Sequence, residues 1–91
     1  MNERIEKNTN KLIESLDLPQ DLFLGLPCLS FTGNRELYIS NHRGILAYGQ
    51  EEIIILAKSV QIVIKGRGLV ITSYSKEELL IKGYIHSMEF C

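Results

Sequence analysis

The side chains with the most chemistry in this chain are Cys28, His42, His86 and Cys91. Thiolate and imidazole ligands could share a zinc ion, but zinc motifs supply them in closely spaced pairs, and no such pair occurs here. A histidine could activate Cys28 as a nucleophile. Cys28, however, follows Pro27 inside the apolar run from Leu22 to Leu29, where a thiol is expected to be buried and inert. His86 falls in the last apolar segment and reads as a strand histidine. The Gly66-Arg67-Gly68 run is not a dinucleotide loop. Ile71 stands where a third glycine is needed, and an apolar strand follows where a helix is required. The expectation is a protein with no metal, no cofactor and no catalytic residue, hence not an enzyme.

Two surfaces remain as candidates. Asn41-His42-Arg43-Gly44 places Asn first and Gly fourth, as a type I turn favours, with His42 and Arg43 as solvated tip residues. In a simple meander, alternate turns share one end. The turns at 41–44, 57–60 and 74–77 would then gather Arg43, Lys58 and Lys76 into a basic edge facing an acidic surface or a phosphate. The second candidate comes from patterning. A sheet with one wet face alternates apolar and polar residues. Ile53-Ile54-Ile55-Leu56, Leu69-Val70-Ile71 and Leu79-Leu80-Ile81 do not. The other half of a sandwich, an N-terminal helix or another chain must cover the second face. Ile54, Leu56, Val70 and Leu80 are therefore the candidate assembly face, and a homo-oligomer or a tightly bound partner is expected.

These residues need a scaffold. The chain has 91 residues, 45% hydrophobic and 23% charged, with a net charge of -1. That suits one small globular domain and lacks the basic excess of a DNA-coating protein. From Cys28 onward, seven basic residues meet six acidic ones, and the four tyrosines are dispersed, so no nucleic-acid partner is expected. Two distant cysteines make no disulfide framework and point to a reducing compartment. The apolar runs are far shorter than the roughly 20 residues of a spanning helix, so a cytoplasmic protein without direct membrane insertion is expected.

Composition divides the chain into three parts. Residues 1–17 carry Ile5, Leu12, Ile13 and Leu16 at helical spacing and predict an amphipathic helix ended by Asp17-Leu18-Pro19. Residues 18–27 are a connector. Residues 28–91 hold ten of the twelve isoleucines and all three valines and predict a mainly β domain. Turn residues divide it into eight short strands: 28–32, 36–40, 45–48, 52–57, 60–65, 69–74, 78–82 and 84–90. Gly66-Arg67-Gly68 reads as a tight reversal, and Gly83 as a bulge or sharp bend. Residues 37–45 and 62–69 echo each other as strand, tight turn, strand. An antiparallel meander, sandwich or roll fits best, with a closed barrel or a solenoid as alternatives.

The run Gly33-Asn34-Arg35-Glu36-Leu37, then Ile39, Asn41-His42-Arg43-Gly44-Ile45 and Tyr48, resembles the YabP/YqfC family of sporulation proteins. Gly66, Gly68 and Leu69, then Leu79-Leu80-Ile81-Lys82-Gly83 and the closing Ile85 to Phe90 fit as well. Leu16-Asp17-Leu18-Pro19 is similar to the YqfC branch. The resemblance implies a protein made in the mother cell of a sporulating bacterium and contributing to the spore envelope or coat. It implies a membrane-associated sporulation protein, encoded by a neighbouring gene, as the partner, through which the chain could sit at the forespore membrane. It carries no catalytic residues over. The function expected is an adaptor or self-assembling scaffold. The alternative is a small β-barrel module that binds a ligand or single-stranded nucleic acid.

Overall fold

The computed structural model describes residues 24–91. The helix expected at 1–17 and most of the connector lie outside the described residues. The β region forms six antiparallel strands in one sheet: β1 Cys28–Thr32, β2 Glu36–Ser40, β3 His42–Tyr48, β4 Glu52–Ala57, β5 Val60–Tyr74 and β6 Glu78–Phe90. The spatial order is β1-β2-β6-β5-β4-β3, which is not a simple meander. Six strands replace the expected eight because 60–65 and 69–74 merge into β5, and 78–82 and 84–90 merge into β6.

The two long strands bend instead of reversing. Their pairing slips between Lys65 and Gly66, between Arg67 and Val70, and between Ile71 and Ser73. Each slip is a bulge that turns the strand direction while keeping most of the ladder. Two glycines permit the bend. A Cβ at Gly66 would run into the Tyr84 carbonyl. A Cβ at Gly83, where φ is 142°, would lie 2.7 Å from the Gly68 carbonyl oxygen. Gly66-Arg67-Gly68 is thus a bend in a continuous strand, because glycine lets neighbouring backbones approach as well as letting a chain reverse.

The bend gives each long strand two roles. The first half of β5 pairs with β4, and the first half of β6 pairs with β2. The unpaired halves receive the turns of the two hairpins. Gly83 and Ile85 donate to the carbonyls of Arg35 and Asn34, in the β1–β2 turn. Gly66 and Leu69 donate to the carbonyls of Glu51 and Gln50, in the β3–β4 turn. The Tyr48 hydroxyl accepts from the Ile71 amide at 2.9 Å, further along the same free edge. The two hairpins therefore clasp the bend in equivalent ways.

Asn41, at φ 64°, is the only residue between β2 and β3, yet these strands lie second and last in the sheet. The sheet must coil for so short a link to join them. Asn is among the few side chains tolerated at this φ. The coil encloses one core. Leu37, Ile39, Ile53, Ile55, Ile62, Ile64, Leu69 and Ile81 have no exposed surface. They are the inward residues of the alternation. The echo between 37–45 and 62–69 therefore hides two different structures: a crossover at Asn41 and a bend at Gly66-Arg67-Gly68.

Replacing Gly66 or Gly83 by Ala should cost about 2–4 kcal/mol, since neighbouring backbone must move in both cases. Urea unfolding checks this. A loss within about 0.5 kcal/mol at both positions would contradict the packed bend.

Candidate functional site

The segments carrying the expected basic edge lie at one end of the sheet, but the chemistry there differs from a solvated tip. His42 is the first residue of β3 and is 4% exposed. Residues 41–44 form no hairpin turn, because β2 and β3 do not pair. The Gly44 amide donates to His42 Nδ1 at 3.0 Å. An amide can only donate, so Nδ1 accepts and the ring proton of the neutral form sits on Nε2. Nε2 then donates to the Ser75 carbonyl at 2.9 Å. The His42 backbone amide donates to the Glu77 carbonyl, and the ring packs against Tyr74 with centroids 5.2 Å apart. His42 thus ties β3 to the β5–β6 turn, with both nitrogens engaged by backbone.

Around it, Gly25, Asn41, Arg43, Lys76 and Glu77 line an open cleft of about 390 Å3. Asn41 Nδ2 donates to the Leu26 carbonyl at 3.1 Å. Lys58 Nζ donates to the Leu24 carbonyl at 2.6 Å, and its stem lies beside Gly25. Gly44 serves His42. Arg43 and Lys76 therefore line the cleft with Glu77 beside them, while Lys58 is occupied by the backbone.

The four residues of the candidate assembly face point outward but are divided between two surfaces. On β4, Ile54 and Leu56 alternate with buried Ile53 and Ile55. Ile54 stands opposite Ala47 on one side and Val63 on the other. Val70 and Leu80 lie on the outer face of the opposite part of the coil, where Leu80 stands opposite Tyr38. The Glu78 carboxylate, hydrogen-bonded to the Tyr38 phenol, raises its pKa above the ordinary value; partial desolvation and the Glu78 charge add to this. Cys28 is exposed on edge strand β1, not buried as expected, because its outward position faces Ser40 and nothing covers it among the described residues. Cys91 is exposed too.

One arrangement was not anticipated from the sequence. The Arg35 guanidinium lies 4.2 Å from the centroid of the Tyr84 ring, and that of Arg67 lies 5.4 Å from it. Arg67 and Tyr84 are partners across the β5–β6 ladder, and Arg35 arrives from the β1–β2 turn. The sequence signal was present only in part: Arg67 lies between the two glycines of a predicted reversal, and Arg35 falls between two predicted strands.

Two measurements check this geometry. Nitrogen NMR of His42 should show the neutral Nε2–H tautomer, and His42→Ala should cost about 1–3 kcal/mol by orphaning two backbone groups. A proton on Nδ1 of the neutral ring would contradict the bonding. In a tyrosinate titration, Glu78→Gln should lower the Tyr38 pKa towards the ordinary value. An unchanged value would remove Glu78 as the cause.

The YabP family model matches residues 27–91, from just before β1 through β6. The protein named "Uncharacterized protein YqfC" of Bacillus subtilis (strain 168) is 31% identical over 90 residues, covering 99% of this chain and 97% of that protein. No solved structure matches the chain. No helix among the described residues is long and apolar enough to cross a membrane. With a family match spanning all six strands and a relative aligned over nearly its full length, the chain belongs to the YabP family.

Proposed function

We propose that the chain is a sporulation protein that works through protein contacts and catalyses no reaction. It acts in the mother cell and contributes to the spore envelope or coat. Its outer surfaces pack against another copy or against a membrane-associated sporulation protein encoded nearby, which holds it at the forespore membrane. The sporulation setting rests on the family. The contact mechanism rests chiefly on one observation, the apolar groups left on the outside of the coil.

Ile54 and Leu56 sit beside Val63 and Ala47 on one outer face. Leu46, 55% exposed, is the unpaired residue of the β3 bulge between Ile45 and Ala47. On the opposite part, Tyr38, Leu80 and Val70 do the same, with Val70 47% exposed. Grouped apolar surface of this kind is what a partner covers. Strand β1, Cys28–Thr32, is an edge of the sheet among the described residues and carries no charge and no proline to deter strand addition. The non-catalytic reading is supported by His42, the buried histidine, which commits both nitrogens to backbone instead of facing a substrate. The interior is filled by side chains, which disfavours the ligand-binding barrel.

The test uses Ile54→Lys and Leu80→Lys, one on each outer face. Light scattering reads self-association as mass above 10.4 kDa. Capture of the co-expressed membrane neighbour reads the adaptor form. At least one variant should abolish one of these associations, with unfolding free energy changed by no more than about 1 kcal/mol. Retention of association by both variants, or no association in the unaltered protein, would overturn the proposal.

A further inference from the structure

We propose that Arg35, Tyr84 and Arg67 form a docking ladder for an acidic segment of a protein partner. This deepens the contact reading above and rests on it.

A guanidinium held over an aromatic ring keeps its hydrogen-bonding capacity. A guanidinium is planar, with its N–H donors in the plane. Stacking on a ring uses its face and leaves those donors available. Neither arginine side chain has a hydrogen-bond partner among the described residues. The only side-chain ion pair there is Lys82–Glu36, so no described carboxylate neutralises either guanidinium. Tyr84 is 44% exposed, which places the cluster at the surface.

The cluster is also pre-ordered. Gly83 donates to the Arg35 carbonyl and Ile85 to the Asn34 carbonyl, fixing the turn that carries Arg35 against the strand that carries Tyr84. The ladder register sets Arg67 opposite Tyr84. Holding two arginine side chains in place before binding lowers the entropy lost when a partner arrives. Arginine and tyrosine are also the residue types enriched at energetic centres of protein interfaces.

Charge complementarity selects the occupant. Two guanidiniums beside one ring, neither paired among the described residues, match two carboxylates, each able to accept a bidentate pair of N–H bonds. A nucleic-acid strand would ask for a longer basic track. The domain from Cys28 onward has only seven basic residues against six acidic ones.

The experiment titrates the isotope-labelled full chain with N-acetyl hexaglutamate and, separately, with a short oligothymidylate. Hexaglutamate should shift the side-chain signals of Arg35, Arg67 and Tyr84. The Arg35→Lys/Arg67→Lys double variant keeps the charge but loses fork geometry and stacking. It should weaken binding by at least about tenfold at unchanged unfolding midpoint. Tyr84→Phe should retain binding, and Tyr84→Leu should lose it. No shift at these three residues, shifts confined to Arg43 and Lys76, or tighter binding of oligothymidylate would overturn the inference. The outer-face variants read different residues. If they still abolish association while hexaglutamate fails to bind here, only this inference falls. If association itself is absent, the contact reading falls with it.

Discussion

The structure depends on one close approach of backbones, where β5 and β6 bend past each other at Gly66 and Gly83. Two strands this long would otherwise run on as a flat ribbon with only one of its halves covered. Bulges and missing Cβ atoms let the pair turn, and the coil then closes around its own apolar face. Each half of the bend offers free amides, and each hairpin turn supplies the carbonyls that satisfy them. Backbone polar groups are thereby paired where the sheet changes direction, the place most prone to leave them orphaned. The same bend sets which side chains meet. Arg35 reaches Tyr84 because its turn docks there, and Arg67 reaches it because the bulged register puts it opposite.

A coil built this way has a filled interior and two outer faces. The outer faces set apolar groups among polar ones, with Val70 standing opposite Lys82 of the Lys82–Glu36 ion pair, and those apolar groups separate this domain from a sheet designed only to be solvated. Ile54 and Leu56 on one side, and Val70 and Leu80 on the other, are not needed by the core, since Ile53, Ile55, Leu69, Leu79 and Ile81 already fill it. Chemistry points the same way. The buried histidine is spent on holding β3 against the β5–β6 turn, and the cleft beside it mixes Arg43 and Lys76 with Glu77. Membership of the YabP family gives these surfaces a setting, and the geometry suggests how they would be used there.

Much of the strand content was legible in the sequence because β-branched runs and turn residues are local signals. What those residues did at Gly66-Arg67-Gly68 was not. Glycine permits a reversal and a close backbone approach equally well, and only a partner strand distant in the chain decides between them. His42 looked like a tip residue for a related reason. Its burial depends on Ser75 and Glu77, brought near by the crossover at Asn41, and the sequence does not reveal that β2 and β3 part company there. The lack of apolar–polar alternation did mark Ile54, Leu56, Val70 and Leu80 as apolar residues of the second face. It could not say that coiling would put them on opposite sides. The arginine–tyrosine cluster was hidden most completely, because it needs a turn, a bend and a register at once.

One bend locks both hairpins and thereby positions the surface. Native-state hydrogen exchange tests it at four amides, those of Gly66, Leu69, Gly83 and Ile85. All four should exchange only through global opening, with the same free energy as the core amides of Ile55 and Ile81. If Gly83 and Ile85 exchanged freely while the core stayed protected, the β1–β2 turn would not be held against the bend. The positioning of Arg35 would then have no structural basis.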